Sequence, residues 1–505
     1  MRRWALLLII VALVVAAIMR MLREPASVLL ITVDTLRPDR LSCYGYDAQR
    51  TAGICSLAEQ GTLFENAVCD IPWTTGSMAS VMTGTYSSRH GVRLPNQRLS
   101  ADHRTLAALL KARGYQTGAI IGSFPLASLY GLNQGFDVYD EEFSQAFISL
   151  TGEARGPVDK IPLPTDFDDS AAALQWAQDK MFNDSFRPDA EVTDRAVNWL
   201  EQAPHRPFFL WVHYFGPHER LYIEPGNPLS TQEPRIIADY DRDLQVTDAA
   251  VARLLQALDR LHLTDSLLVI LHADHGQSLG QHGFVGHGND LYDASVRVPL
   301  LIRFPGRTEA GKRIGVQVRN VDILPTILDD VGVEIPRGLD GRSLRTGWIA
   351  RALAPLPAYV ETYTPEVVLL PMKLPNIGTV IAPVARFAVR SERWKFIKNK
   401  FSAPCSKGQE AYRSLEPGRQ DVWELRDPVA LSTEECQALK LDELYDLTTD
   451  PSELQNVAPM HPDVVEQQRA WLQAVTRHEG KGEAIRLSPS DRERLRSLGY
   501  STGDG

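Results

Sequence analysis

Short runs of consecutive apolar residues recur along the chain. They cover residues 28–33, 115–122, 208–213, 267–271 and 298–302, and the first of them is rich in β-branched side chains. Uninterrupted apolar runs of this length are typical of strands buried on both faces, as in a parallel sheet. The pattern therefore predicts several strands in the interior of one sheet.

Stretches with a helical period separate these runs. Residues 105–113 repeat their apolar positions about every 3.6 residues, as an amphipathic helix does. Residues 241–261 place on one stripe Val246, Ala249, Ala250, Leu254, Leu255, Leu258 and Leu261. Strands alternating with helices predict an α/β fold with a doubly wound, mostly parallel sheet.

The alternation of predicted strands and helices is interrupted at two places, which suggests four segments. A main domain is expected over 27–355, with a lid or insertion at about 141–187, where prolines and acidic residues accumulate. Residues 356–460 contain the short apolar runs 387–390 and 394–397 and predict a small antiparallel subdomain. A helical tail is expected over 461–505.

The amino terminus predicts a membrane helix. Two arginines precede the apolar run 4–19, which is sixteen residues long, and two more follow it. We interpret 1–23 as an uncleaved signal anchor, with a cleaved signal peptide as the alternative. This interpretation predicts a single-pass membrane protein whose main domain is extracytoplasmic, for example periplasmic.

Composition narrows the function classes. The net charge of −10 argues against a broad basic surface that could bind nucleic acid, so no nucleic acid partner is expected. The five cysteines are too few and too scattered for a disulfide framework, and at most Cys405 and Cys436 are expected to pair.

Polar side chains follow the predicted strands where those strands end. Asp34 and Thr35 follow the first run, His213 ends the third, and Asp274 and His275 follow the fourth. Ligands collect at the carboxyl ends of strands in an open parallel sheet. Carboxylates with one imidazole suit Zn²⁺, Mn²⁺ or Ca²⁺, so we predict a site for one divalent ion.

A hydroxyl-rich segment follows Pro72 at the start of a predicted helix. It contains Thr74, Thr75 and Ser77. A threonine hydroxyl becomes a nucleophile only when a metal or base removes its proton, and the predicted metal site would do so for Thr74. Alternatively, these hydroxyls only cap the helix.

A set of longer strings resembles the sulfatase family of the alkaline phosphatase superfamily. In chain order they are VLLITVDTLRPDRLSCYGY, FENAVCDIPWTTGSMASVMTGTYSSRHGV, LLVILHADHGQSLGQHG, HGNDLYDASVRVPLLIRFPG, VDILPTILDDVG and DELYDLTTDPSELQNVA. The resemblance extends over nearly the whole chain after residue 25. It implies the family's fold, with residues 27–355 as the catalytic domain.

The resemblance also implies site roles. Asp34, Asp274 and His275 match metal ligands, Thr74 occupies the nucleophile position and shares the metal, and Thr35 stands where many sulfatases have a second aspartate. Further positions are assigned to the substrate: His213, His218 and His287 to its oxyanion or leaving group, and Arg89 and Ser77 to its binding. His90 is assigned to support of the site.

The chain departs from the family at the nucleophile. Sulfatases carry cysteine or serine followed by x-Pro-x-Arg, from which formylglycine is made, whereas this chain has Thr74, Gly76 and Met78. Threonine resembles instead the nucleophile of related phosphodiesterases, phosphoethanolamine transferases and lipoteichoic acid synthases. A phosphothreonine intermediate is therefore expected, formed by attack of Thr74 on a phosphate monoester or diester and released to water or to an acceptor alcohol.

Two alternatives stay open at this point. One is a true sulfatase that uses the hydroxyl of Thr74 without formylglycine. The other is a catalytically inactive binding protein that has kept the fold. The expected substrate is a small-molecule, lipid-headgroup or glycan ester.

Overall fold

A computed structural model describes most of the chain. The described residues are 26–143, 146–148, 154–157, 185–202, 207–218, 229–345, 353–363, 372–374, 378–380, 385–400, 442–477, 480 and 482–498. Most of the predicted lid at 141–187 lies outside them, as do Cys405 and Cys436. The predicted domain boundaries and the lid therefore stay predictions.

A large, mostly parallel sheet forms the centre of the molecule. Its strands are β1 (Ser27–Val33), β2 (Thr62–Val68), β3 (Gln116–Ile120), β4 (Val138–Asp140), β5 (Phe208–Tyr214), β6 (Leu267–His272), β7 (Arg297–Arg303), β8 (Lys312–Ile314) and β9 (Val318–Arg319). Their order across the sheet is β8-β2-β7-β6-β1-β5-β3-β4, with β9 also paired to β2. The apolar runs thus predicted the main strands and the class of the sheet.

Strand β7 corrects one part of that prediction. It pairs antiparallel with both β2 and β6, whereas β1 is parallel to β5 and β6. Six of its seven residues are buried. An apolar run reports burial on both faces and carries no information about strand direction, so the sequence could not distinguish the two arrangements.

Helices connect and flank the strands. They are α1 (Ala52–Gln60), α2 (Thr74–Thr83), α3 (Ser87–His90), α4 (Leu106–Lys111), α5 (Asp189–Gln202), α6 (Leu229–Arg260), α7 (Asp293–Val296), α8 (Ile323–Asp330), α9 (Pro462–Val475) and α10 (Pro489–Ser497). Short 3₁₀ turns cover Pro38–Arg40, Ser42–Tyr44, Phe124–Leu126, Ser128–Tyr130, Gln281–Gly283, Pro305–Arg307, Asn320–Asp322 and Ala458–Met460. Helices α1, α5 and α6 pack together, and α2 packs against α3, α4 and α8.

Helix α6 begins earlier than its apolar stripe predicted. It starts at Leu229 and includes Pro234, while the stripe was predicted from residue 241. Val246, placed on the buried stripe by periodicity, is 59% exposed. Leu254 and Leu258 on the same stripe are fully buried, as predicted.

The predicted antiparallel sheet follows the central one. Its strands are β10 (Ala358–Tyr363), β11 (Ala385–Arg390), β12 (Trp394–Lys400) and β13 (Asp442–Asp446), paired in that order. Val360 and Ile397 belong to the main core, whereas Tyr359 and Phe396 form a second apolar cluster that includes residues of α9. Successive side chains of a strand point to opposite faces, so this sheet is packed on both.

Buried ion pairs join the two sheets. Lys395 on β12 is fully buried, and its ammonium group lies 2.9 Å from the carboxylate of Asp293 and 2.7 Å from that of Glu453. Arg390 on β11 lies 2.7 Å from the same Asp293. Because Asp293 begins α7, these contacts fix the chain that enters β7.

The predicted membrane location is wrong as far as the described residues go. None of their helices is both long enough and apolar enough to cross a bilayer. Helix α6 has 32 residues, but it carries exposed charged side chains such as Arg235 and Arg242. The segment 1–23 from which an anchor and an extracytoplasmic domain were predicted lies outside the described residues.

A disulfide corrects the cysteine prediction. Cys43 and Cys55 are bonded across a sequence separation of 12, and Cys69 is a buried free thiol. The 3₁₀ turn at Ser42–Tyr44 packs against α1, which brings the two sulfurs together. Their spacing matches no common disulfide framework, so no sequence pattern indicated this pair.

We expect loss of this disulfide to lower the free energy of unfolding by about 3 kcal/mol, the value for a loop of roughly a dozen residues. The measurement is guanidinium denaturation of wild type with and without reductant. The variant Cys43→Ser/Cys55→Ser is the control and should not respond to reductant. Equal stability of oxidised and reduced wild type would contradict the expectation.

A buried carboxylate fixes the chain before and after α2. Asp70 is 2% exposed, and its Oδ2 accepts hydrogen bonds from the Ser80 hydroxyl and the Ser87 amide, both at 2.7 Å. His90 Nδ1 accepts from the Val92 amide, so its Nε2 carries the proton and donates to Ser80 Oγ at 2.8 Å. Burial raises the pKa of Asp70 to about 7.

Asp70→Asn should remove a pH-dependent loss of stability. The folded state holds the Asp70 proton more tightly than the unfolded state, so wild-type stability falls as pH rises from about 4 to about 7. The effect is at most about 4 kcal/mol, since one pKa unit corresponds to about 1.4 kcal/mol. The free energy of unfolding is measured by denaturation at pH 5 and pH 8. Relative to wild type, the variant should be more stable at pH 8 than at pH 5. The exposed Asp102→Asn change is the control and should show no such trend.

Candidate active site

The first turn of α2 is held rigidly at the carboxyl edge of the sheet. Thr74 is the first residue of α2 and follows an extended Trp73. The Thr75 hydroxyl donates to the Pro125 carbonyl at 2.5 Å, and the Ser77 hydroxyl donates to the Asp274 carbonyl at 2.6 Å. The turn that carries Thr74 is thus tied directly to the loop after β6.

Two neighbouring strands bring the acidic residues together. In β1 and β6, Thr32 is paired in parallel register with His272, so Asp34 and Asp274 leave the sheet side by side. Asn320 Nδ2 donates to the carbonyls of Ala273 and Asp274, at 3.0 and 3.2 Å. This amide and the Ser77 hydroxyl both donate to the Asp274 carbonyl and fix the loop after β6.

The predicted metal ligands and the predicted nucleophile form one cluster. Asp34, Asp274 and His275 are buried, and their ligand atoms lie within 4.8 Å of one another. Thr74 Oγ1 lies 3.2 Å from His275 Nε2 and 3.5 Å from Asp34 Oδ2. Asp34 lies 40 residues before Thr74 and His275 lies 201 residues after it, yet both side chains contact the Thr74 hydroxyl.

The charges of this cluster fit a divalent cation. Burial raises the pKa of Asp34 well above its usual range, with the charge of Asp274 adding to the effect, and burial raises the pKa of Asp274 to about 7. Asp34 Oδ1 and Asp274 Oδ2 have no hydrogen-bond partner within the described part of the chain. Burial also lowers the pKa of His275 to about 4, which leaves a neutral imidazole able to ligate.

Thr35 contributes through its backbone. Its φ angle is 55°, in the left-handed region that is costly for a β-branched residue, and its amide donates to Asp274 Oδ1 at 3.3 Å. Its buried hydroxyl has no hydrogen-bond partner among the residues described. The strained turn thus orients one of the carboxylates, and the hydroxyl is available beside it.

The three predicted histidines line one side of the cluster. His218 Nε2 and His287 Nε2 are 3.0 Å apart, and the His287 ring lies 4.5 Å from the His275 ring, centroid to centroid. His213 Nε2 lies 3.7 Å from Asp34 Oδ2. Burial lowers the pKa of His213 to about 3 and holds those of His218 and His287 well below the usual value.

Two residues predicted to bind substrate are engaged elsewhere. Arg89 is partly exposed, and its guanidinium donates to the Asp340 carboxylate at 2.9 Å and to the Gly338 carbonyl at 2.7 Å. The Ser77 hydroxyl is used in the contact with Asp274 described above. Both side chains therefore bond to the protein itself, and His90 supports α2 through Ser80.

Sequence reasoning missed two residues that shape the site. Asn320 fixes the loop of Asp274, and Phe215 stacks on His218 with ring centroids 4.5 Å apart. Asn320 lies just before a resemblance string and Phe215 just after a predicted strand. Neither position carries a periodic or chemical signal that separates it from an ordinary loop or core residue.

Comparisons with known proteins find similarity to sulfatases. The sulfatase family model matches residues 26–333. An N-acetylglucosamine-6-O-sulfatase of Bacteroides thetaiotaomicron is 23% identical over 414 residues, which cover 63% of this chain and 70% of that protein. An ulvan-active sulfatase of Formosa agariphila is 27% identical over 346 residues, which cover 63% of this chain and 64% of that protein.

A solved structure of an enzyme that is named for a different ester has a similar fold. The phosphonate monoester hydrolase of Agrobacterium radiobacter matches with a TM-score of 0.62 at 20% identity, over 92% of this chain and 99% of that one. At this identity the likeness shows the fold alone. The family match covers well over half of the chain, and the chain therefore belongs to the sulfatase family of ester hydrolases.

Proposed function

We propose that this protein hydrolyses phosphate or phosphonate esters with Thr74 as the nucleophile. The observation that carries the proposal is the position of the Thr74 hydroxyl, within 3.5 Å of both Asp34 and His275. In sulfatases formylglycine is made from cysteine or serine, and Thr74 is neither. A neighbour in fold that is named for phosphonate ester hydrolysis adds support.

The metal ligands in this proposal are Asp34, Asp274 and His275, with Thr74 and Thr35 supplying hydroxyl oxygens. A divalent cation bound there, whether Zn²⁺, Mn²⁺ or Ca²⁺, would lower the pKa of the Thr74 hydroxyl and offset negative charge on the transferred group. Carboxylate oxygens are ligands that all three ions accept, and the imidazole favours Zn²⁺ among them.

The protein's own groups account for the bonds and protons. Thr74 Oγ1 loses its proton to water and attacks phosphorus, and the bond from phosphorus to the ester oxygen breaks. The leaving oxygen takes a proton from the pair His218 and His287, whose pKa an anionic ester beside them would raise. Water then attacks phosphorus and returns one proton to the histidine pair. The bond from phosphorus to Thr74 Oγ1 breaks, that oxygen takes a proton from water, and the acid product is released.

A second candidate is hydrolysis of a sulfate ester on a glycan or small molecule. It is favoured by the relatives named for sulfated N-acetylglucosamine and for ulvan. His213, close to Asp34, would stabilise the oxyanion in either reaction. A panel of aryl sulfate, phosphate monoester, phosphodiester and phosphonate substrates decides between the candidates, because faster sulfate turnover would favour the second.

Thr74→Ala should lower turnover by at least about a thousandfold, as expected for loss of a nucleophile. Thr74→Ser keeps the hydroxyl and should retain activity. The matched control is Thr75→Ser, which keeps its hydroxyl bond to Pro125 in the same helical turn. Mass spectrometry of quenched wild-type enzyme should find phosphate on Thr74, and undiminished turnover by the alanine variant would refute the assignment.

Asp34→Asn should abolish metal binding, because it removes one of the two buried carboxylates. Wild type should gain about 2.7 kcal/mol of stability at a metal concentration 100 times the dissociation constant. Thermal unfolding with added Zn²⁺, Mn²⁺ or Ca²⁺, together with elemental analysis, measures both effects. The control is the exposed Asp265→Asn, and an equal response of wild type and Asp34→Asn would argue against this site.

A further inference from the structure

Two stacked phenylalanine rings pack in a row against His218. The Phe186 and Phe215 rings are stacked, with centroids 4.8 Å apart and planes 20° apart. Phe215 stacks in turn on His218 at 4.5 Å and 19°. His218 then meets His287 edge-on at 5.0 Å and 75°. The row thus ends at the histidine pair assigned above to the leaving group.

Phe215 is fixed by the turn that follows β5. The Asp189 carboxylate accepts hydrogen bonds from the backbone amides of Phe215 and Gly216. It also accepts one from the Thr247 hydroxyl at 2.7 Å. Gly216 has a φ of 60°, a conformation that glycine adopts without strain. This buried carboxylate holds the turn, and with it the ring, in place.

Phe186 is fixed from the other side by the end of β3. The Phe124 amide donates to the Ser185 carbonyl at 2.8 Å, and the Arg187 amide donates to the Gly122 carbonyl at 2.7 Å. Both neighbours of Phe186 are therefore bonded to the backbone that follows β3. The stack is anchored at its far end as well as at its middle.

Hydrogen bonding alone does not set the plane of the His218 ring. Within the described residues, its Nδ1 has no hydrogen-bond partner beyond the backbone of His218 itself, while its Nε2 faces His287. The torsion about the bond between Cβ and an imidazole ring has a broad energy profile. Packing against a flat ring is then the contact that restricts rotation about this bond.

We propose that Phe215, backed by Phe186, is a positioning residue that holds the His218 ring with its Nε2 directed at His287. The inference rests on the proposed function, because the pair is assumed to protonate the leaving oxygen. Loss of the stack should therefore slow reactions whose leaving oxygen must be protonated as it departs. Reactions with a leaving group that departs as an anion should keep their rate.

The kinetic test compares Phe215→Leu with Phe209→Leu. Phe209 is a buried residue of β5 that stacks on Phe136, so the control loses an equivalent ring contact away from His218. The substrates are aryl phosphate and aryl phosphonate monoesters with leaving groups of increasing pKa. Phe215→Leu should lose about tenfold or more in kcat/KM for the poorest leaving group and less than about twofold for 4-nitrophenol, because general acid catalysis contributes only where the leaving oxygen must be protonated. Phe209→Leu should keep the wild-type dependence on leaving-group pKa.

An NMR measurement tests the contact between Phe215 and His218 without any substrate. In protein labelled with ¹³C at the histidine Cε1, the His218 signal is identified by its absence in His218→Gln. Ring currents from Phe215 should shift that signal, so it should move in Phe215→Leu but not in Phe209→Leu. Phe186→Leu should move it less, and Phe186→Tyr should restore it.

The outcomes separate the two proposals. A wild-type enzyme inactive on every ester of the panel would overturn the proposed function and the catalytic part of this inference with it. An active wild type with an equal loss across all leaving groups in Phe215→Leu, or with an unmoved His218 signal, would overturn the positioning role alone.

Discussion

The parallel pairing of β1 with β6 places two carboxylates side by side in the interior, and the rest of the site depends on this constraint. Asp34 and Asp274 are 1% and 0% exposed, and within the described residues neither has an ion pair with lysine or arginine. Two adjacent buried negative charges are costly, which is why their pKa values rise. A fold that retains such a pair stabilises it through a proton or a bound cation, and the geometry of Thr74 and His275 around it fits the cation.

The same edge of the sheet is braced from three directions. Ser77 holds it from α2, Asn320 from the turn before α8, and the buried pair of Lys395 with Asp293 holds the loop that leads to β7. Preorganisation of this kind matters because a nucleophile must be held close to its attack geometry to be effective. The antiparallel sheet therefore serves the site through its contacts, although the residues proposed for catalysis lie in the central domain.

What could be predicted from the sequence follows from what each signal encodes. Apolar runs report burial, so they located the strands of the central sheet but not the antiparallel direction of β7. Residues at strand ends, together with the family strings, named the cluster of Asp34, Thr74, Asp274 and His275. Packing contacts such as Phe215 on His218, the ion pair of Arg89 with Asp340 and the disulfide of Cys43 with Cys55 depend on tertiary proximity, for which one sequence offers no period or spacing.

The departure from the sulfatase nucleophile motif is built into the packing around α2. At Gly76, where that motif has proline, an added Cβ would lie 3.0 Å from Ile71 Cγ2 and from the Val92 carbonyl oxygen, and 3.1 Å from Trp73 Nε1. At Met78, where the motif has arginine, the side chain is fully buried, with its sulfur 3.8 Å from the Thr32 hydroxyl. An arginine there would be a buried charge in an apolar position. Cysteine at position 74 alone would therefore not create the motif, because positions 76 and 78 are closely packed with glycine and methionine.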